Sequence, residues 1–164
     1  MTSTLRVNTI QHGNSTEAAT IDASGNMTFA KNISQTGLQY WSGYHNTSAV
    51  YGAGNTITNW TKDQGSGITH SSGVWTIPVA GFYIFSISVL TNTAAGGVYW
   101  HVNSTQKWRI GYSGSTDWQN QGGTLIYQFS ANDTLKFTMQ AASQQVYGDS
   151  TPSTVSAFSI FKVG

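Results

Sequence analysis

Carboxylates, histidines and aromatic rings are the groups through which this chain could do chemistry, and their placement limits what that chemistry is. The carboxylates are Glu17, Asp22, Asp63, Asp117, Asp133 and Asp149, and most of the aspartates sit in polar, turn-like sequence. A glycosidase needs two carboxylates facing one cleft, and nothing in this spacing suggests such a pair. The chain has no cysteine nucleophile, no Gly-x-Ser-x-Gly elbow and no glycine-rich phosphate loop ending in Lys-Ser/Thr. No catalytic residue and no cofactor is therefore expected. The histidines, His12, His45, His70 and His101, lack paired ligand spacing. Asp117 and Asp149 lie in no carboxylate-rich loop of the kind that holds calcium. No metal site is expected from one copy of the chain, although a threefold assembly could gather three copies of one histidine on its axis.

The aromatic residues offer binding rather than catalysis. There are 6 Trp and 8 Tyr. Trp75, Tyr83 and Trp100 sit in alternating apolar runs and read as core. Tyr112, Trp118 and Tyr147 instead lie among Gly, Ser and amides, as do Trp41 and Tyr44. An aromatic face stacks on the apolar face of a sugar ring, while neighbouring amides bind its hydroxyls. Asp117-Trp118-Gln119-Asn120-Gln121 has that composition, so Tyr112, Trp118 and Tyr147 are candidate surface ligand contacts for a glycan. The other use of such rings is to fill a subunit interface or cap the barrel. Lys107 and Arg109 alternate onto one face opposite Trp108, which suits a phosphate, a neighbouring carboxylate or plain solvent.

These residues must be positioned by strands. Gly73 to Leu90, GVWTIPVAGFYIFSISVL, carries no helical period. Gly81, Tyr83, Phe85, Ile87 and Val89 point one way; Phe82, Ile84, Ser86, Ser88 and Leu90 point the other. The first face is apolar throughout. The second is apolar at both ends, more than a solvent face requires, so both faces should be covered. The second cover in a small all-β protein is often another copy of the chain, and Phe82 and Ile84 are the expected subunit contacts.

Composition agrees. Eighteen of the 164 residues are Gly, and Ser, Thr, Asn and Gln fill the gaps between short apolar runs, the pattern of an all-β chain with many turns. Charged residues are only 8%, against about 25% in typical domains, so hydroxyls and amides must cover the surface. A net charge of +1 provides no field to steer nucleic acid or an anionic membrane. No run approaches the roughly 18 apolar residues of a membrane helix, and MTSTLRVNTIQ has no signal-peptide core. The absence of cysteine suits folding in a reducing cytoplasm or stability drawn from oligomerisation. The N-x-[ST] triplets at Asn59 and Asn132 are expected by chance in such a composition.

Residues 1–36 differ from the rest. They hold no Trp or Tyr, and their apolar residues cluster as Leu5, Val7, Ile10, then Ile21, then Met27, Phe29, Ile33. Ala23-Ser24-Gly25-Asn26 predicts a hairpin turn between residues 20–22 and 27–29. Such a segment cannot bury a core alone and must dock on something or wind with its own copies. From Gly37, strands are predicted near 38–44, 56–61, 74–79, 81–91, 97–103, 106–112, 123–130, 133–141 and 154–162. Asn103-Ser104-Thr105 reads as a tight hairpin between Trp100-Val102 and Trp108-Ile110. Leu135, Phe137 and Met139 alternate with Thr134, Lys136 and Thr138. So many short strands predict a two-sheet jelly-roll sandwich.

The run Trp75-x-x-Pro78-x-x-Gly81-x-Tyr83-x-Phe85 resembles the signature of the tumour-necrosis-factor-like jelly rolls, in particular the complement globular heads. Leu125 with Ala131-Asn132-Asp133-Thr134-Leu135 resembles that family's later turn and strand, with Asn132 in place of the usual Gly. Val155 to Val163 resembles its closing strand, without the usual Gly. The resemblance spans roughly residues 38–164 and implies a homotrimer. Ser3 to Ile10, with Ile21-Asp22 and Ser24 to Phe29, resembles the opening of tailed-phage fibre and virion decoration proteins. There a short β-rich leader attaches the protein to the particle and a trimeric head follows. The resemblance implies a non-enzymatic virion structural protein, exposed on the particle and assembled in the host cytoplasm. It implies an attachment segment at 1–36 carrying Leu5, Val7, Ile10, Met27, Phe29 and Ile33, and a head at 37–164 that meets host surface glycan. The alternatives are a capsid cement protein that stabilises the shell and, from another class, a free carbohydrate-binding lectin.

Overall fold

Alternation with period two runs through the head, and it folds as twelve strands among the described residues. The computed structural model describes residues 9–11, 17–29, 37–92, 95–114, 116–150 and 155–163. The chain divides into two compact units, Met1–Thr36 and Gly37–Gly164.

The first unit contains a three-stranded antiparallel sheet of β1 (Thr9–Gln11), β2 (Glu17–Ile21) and β3 (Met27–Phe29), in the order β1-β2-β3. The β2–β3 turn is closed by Asp22. Its Oδ1 accepts from the backbone N–H of Ser24 at 2.8 Å and of Asn26 at 2.9 Å, and its Oδ2 accepts from Asn26 Nδ2 at 2.9 Å. These donors, the Asn26 amide first, hold the Asp22 carboxyl below its ordinary range. Gly25 supplies a φ of 84°, which a side chain disfavours. Ile10, Met27 and Phe29 fall on this sheet, with Ile10 opposite Ala19, Met27 opposite Ile21 and Phe29 opposite Ala19. Leu5, Val7 and Ile33 lie outside the described residues.

The second unit is a sandwich of two antiparallel sheets. Its strands are β4 (Tyr40–His45), β5 (Ala49–Tyr51), β6 (Trp60–Ser66), β7 (Thr69–Ser71), β8 (Val74–Thr76), β9 (Gly81–Asn92), β10 (Gly96–Val102), β11 (Thr105–Ser113), β12 (Gln119–Phe129), β13 (Thr134–Met139), β14 (Gln144–Val146) and β15 (Ala157–Lys162). One sheet has the order β11-β10-β13-β8-β7. The other has the order β5-β14-β9-β15-β4-β6, with β12 also pairing β9. β9 is the hub of that sheet, pairing with β12 over Gly81 to Thr91, with β15 over Tyr83 to Ser88 and with β14 at Thr91 and Asn92.

Local chemistry sets the turns. Asn103 and Ser104 have φ of 50° and 69°, and Ser72 and Gly73 have φ of 49° and 77°. Both are two-residue hairpins with two positive φ values, whose twist matches the flanking strands. Asn132 has φ 68°, so the residue that replaces the family's Gly is one that tolerates the left-handed conformation. The strand predicted at 56–61 begins instead at Trp60 and runs to Ser66. Asn59, at φ 62°, interrupts the extended backbone there, while the N–H of Ile57 donates to the carbonyl of Phe137 on the other sheet. The three-residue strands β5, β7 and β14 were not among the predicted ones; each is too short to show a period.

The core lies between the sheets and is mostly aromatic. Trp75 is fully buried, and its ring centroid lies 4.4 Å from Phe158, 4.7 Å from His70, 5.2 Å from Trp41 and 5.7 Å from Trp60. Tyr83, Phe85, Ile87 and Val89 are buried beside Trp100, Leu135, Phe137 and Met139. Trp41 is thus a core residue, against its reading as a surface ring. Replacing Trp75 with Ala should lower stability by about 3–5 kcal/mol, read as a shift of the denaturant midpoint with an unchanged slope.

Candidate functional site

The exposed face of the β9 sheet carries a graded surface. Antiparallel register places directly opposed residues on one face. At one end Ile126, Ile84, Phe161 and Tyr40 form a row across β12, β9, β15 and β4. Phe82 lies beside it, its carbonyl accepting from the N–H of Val163. Ile126 is 65% exposed, Phe82 49%, Val163 49% and Phe161 44%, so this apolar band stands open to solvent. Ile84 is half-buried within it.

The middle of the face is hydroxylic. Thr124, Ser86, Ser159 and Ser42 make the next row. Thr124 and Ser86 share a hydrogen bond at 3.0 Å, and Ser88 Oγ donates to Asn120 Oδ1 at 2.9 Å. Ser42, Gly43, Ser86, Ser88, Ala157 and Ser159 border an open groove of about 230 Å³ here.

The far end is aromatic and amide-rich. Trp118 and Tyr147 meet edge to face at a centroid distance of 5.4 Å. The N–H of Tyr147 donates to the carbonyl of Leu90, whose strand partner is Asn120. Two of the three rings singled out from sequence are therefore neighbours. The third, Tyr112, lies on β11 in the other sheet, 54% exposed, with the Arg109 guanidinium 4.5 Å from its centroid. Lys107 sits 5.5 Å from the Tyr127 ring, and Arg109 Nη1 donates to Gln140 Oε1 at 3.3 Å. The two cations thus rest on aromatic rings rather than forming an anion site together.

Reading the sequence missed Ile126, Phe161 and Val163 as partners of Phe82 and Ile84. The signal was there: Ile126 is the outward residue between inward Leu125 and Tyr127, as Ile84 is between Tyr83 and Phe85.

Three of the histidines, His45, His70 and His101, make packing and hydrogen-bond contacts inside the head; His12 lies outside the described residues. His70 stacks 4.7 Å from Trp75, and its Nε2 accepts from the N–H of Gly73 at 3.1 Å. His101 Nε2 pairs with Thr138 Oγ1 at 2.9 Å. His45 is buried and its Nε2 pairs with Tyr51 Oη at 2.9 Å. No group of three metal-ligating side chains occurs among the described residues.

Comparison with known proteins identifies the fold. No protein-family model matches the chain, and no curated protein sequence matches it. Solved structures do match. The globular domain of zebrafish complement 1qA superposes with a TM-score of 0.61 at 12% identity, covering 77% of this chain and 98% of that one. Eiger TNF from S. frugiperda gives 0.58 at 11% identity, covering 77% and 93%. Murine APRIL gives 0.58 at 10% identity, covering 77% and 99%. The head is a jelly-roll sandwich of the kind seen in tumour-necrosis-factor and complement globular domains.

Burial of His45 pushes its pKa down to about 4 from 6.5, outweighing the nearby backbone of Thr58 and Tyr147, which favours the charged form. The folded head therefore prefers neutral His45. That contribution is complete above pH 6.5 and is lost as pH falls from there toward about 4. His70 and His101 shift in the same direction through burial. Acid titration followed by tryptophan fluorescence should show destabilisation across that window, and His45→Phe should flatten part of it.

Proposed function

We propose that this chain is a non-enzymatic structural protein of a tailed-bacteriophage virion. It is a homotrimeric fibre or decoration protein, anchored through residues 1–36 and exposing the jelly-roll head at 37–164. The observation that carries the self-association is the apolar row Ile126–Ile84–Phe161 with Phe82 beside it, on the outer face of a sheet whose inner face is already the core. Contiguous exposed apolar area of this kind marks an interaction surface. Full burial of one such side chain stabilises by roughly 1.5–3 kcal/mol, and a threefold assembly repeats each one three times. The leader's resemblance to virion attachment segments supports the rest of the reading. Several leaders docked together on a symmetric particle would hold through high effective concentration even where one contact is weak.

The partners are then other copies of the chain, other virion proteins of capsid or tail, and a host surface glycan. Neither nucleic acid nor membrane insertion is part of the reading. A capsid cement protein is the second reading, favoured if the head rather than the leader holds the particle. A free lectin is the third.

In sedimentation the full chain should run as a trimer at micromolar concentration, and Ile84→Asp should run as a folded monomer. A chain starting at Gly37 should stay trimeric but fail to decorate particles lacking the native protein. Equal decoration by that shortened chain would transfer the anchor to the head and favour the cement reading; a stable parental monomer would end the trimer reading.

Trp118 and Tyr147, flanked by Asn120, form the surface best suited to a sugar. Trp118→Ala should abolish binding to a glycan array while leaving the melting temperature within a few degrees of the parent, since Trp118 is 44% exposed.

A further inference from the structure

We infer that the outer face of β10, β11 and β13 carries a binding site for a phosphoryl group, centred on Arg109 and framed by Tyr112 and Gln140. A distortion of β11 builds it. Arg109 and Tyr112 are three residues apart, so a regular strand would turn them to opposite faces. The register slips between them: Gly111 lies opposite Val98 and Arg109 opposite Tyr99, which leaves Ile110 over. Such a bulge re-aims side chains. Arg109 and Tyr112 now oppose Tyr99 and Gly97, which share the face of β10 turned away from the buried Val98, Trp100 and Val102.

Gly97 then lets the arginine lie flat. A Cβ there would overlap Arg109 Cδ, so the arginine stem packs on bare backbone. Arg109 Cζ stands 4.5 Å from the Tyr112 ring centroid, and Nη1 donates to Gln140 Oε1 at 3.3 Å. The Gln140 N–H donates to the Gly97 carbonyl at 2.8 Å, which ties β13 to the same row. A long, exposed cation is thus held in place by an aromatic ring and an amide, both neutral, so its charge stays available.

The neighbouring rows add positive charge. Thr138 opposes Tyr99, and Lys136 opposes His101. Burial first, and the Lys136 ammonium after it, hold His101 below its ordinary range, so the field of Lys136 reaches into this face. No acidic residue stands at any paired position of β10 with β11 or β13. Asp133, just before β13, already accepts from Asn103 Nδ2 and from the Ser130 N–H. Lys107 turns away to the Tyr127 ring and takes no part.

Donors without acceptors select the ligand. A guanidinium offers hydrogens only, and Gln140, with its Oε1 engaged by Arg109, presents Nε2 as a further donor. A neutral sugar hydroxyl also needs an acceptor. The guanidinium fork matches two oxygens of an oxyanion. A carboxylate has no third oxygen for Gln140; a phosphoryl group does. The ligand is therefore inorganic phosphate or a phosphate ester. The site lies on the sheet opposite β12 and β14, and it stands apart from the Trp118–Tyr147 surface and the glycan reading.

The test titrates the full chain, isotope-labelled for NMR, with inorganic phosphate and with glycerol phosphate at fixed ionic strength. Acetate is the control anion. Both phosphates should shift the Arg109 and Gln140 side-chain resonances saturably, and acetate should bind at least about tenfold more weakly. Tighter binding of the ester assigns the site to phosphate esters; tighter binding of inorganic phosphate assigns it to the free ion. Arg109→Lys keeps the charge and loses the fork, so it should weaken phosphate binding about tenfold or more. Its melting temperature should match the parent's, because Arg109 is exposed. Trp118→Ala should bind phosphate as the parent does. Unsaturable shifts in the parent overturn the inference, as does acetate binding as tightly as phosphate. So does an Arg109→Lys chain that binds like the parent, or a Trp118→Ala chain that does not bind. If Arg109→Lys fails to fold, the parental comparison of phosphate with acetate decides.

Discussion

One strand, with a buried face and an outer face of different chemistry, organises the head. β9 runs twelve residues from Gly81 to Asn92 and holds β12 along one edge, with β15 and then β14 along the other. Its odd residues build the aromatic interior; its even residues set the order of the outer face. Strand register couples the two, because a slip of one residue would send Tyr83 and Phe85 into solvent and drive Ser86 and Ser88 into the core. The buried face fixes register so firmly that the outer face inherits its arrangement. The apolar band at Phe82 and Ile84, the hydroxyl rows and the Trp118–Tyr147 pair keep their spacing for that reason.

Much of the sandwich was legible in the sequence, because inward residues differ sharply from their neighbours. Tyr83, Phe85, Ile87 and Val89, and again Leu135, Phe137 and Met139, announce strands by alternation alone, and all are buried. Asn103 and Ser104 announce their hairpin through residues that tolerate positive φ. What stayed hidden depends on partners distant in the chain. The short strands β5, β7 and β14 have no period of their own and exist because a neighbour offers an edge. Trp41 lies between Ser42 and Tyr40 in polar sequence, and only the approach of Trp75 and Phe158 makes it core. The apolar band was half visible, since Phe82 and Ile84 belong to one obvious strand, whereas Ile126, Phe161 and Val163 alternate outward in their own segments but join them only through pairings between stretches distant in the chain. The pairing of Trp118 with Tyr147 likewise needs β12 and β14 to flank one strand end.

With charged residues at 8% of the chain, hydroxyls and amides take on tasks that ion pairs perform elsewhere. Asn103 bridges the β10–β11 turn to Thr134, its Oδ1 accepting from the Thr134 N–H at 2.8 Å. Asn46 Nδ2 donates to Thr61 Oγ1 at 2.6 Å, and Ser48 Oγ donates to the carbonyl of Gly148 at 3.2 Å. The cations Lys107 and Arg109 lie over tyrosine rings. Such contacts are screened little by salt compared with exposed ion pairs, so the head's stability should vary weakly with ionic strength.

The connection from β11 to β12 leaves one sheet and enters the other, carrying Trp118 at its far end. Among the described residues no strand pairing joins β11 to β12; β11 takes its register from β10 and β12 from β9. The spacing of β9 against β12 is set by their own ladder from Gln119 to Phe129. Scaffold and loop end are thereby separable under selection: a lineage could change the residues at this end of the head many times over while inheriting the same sandwich.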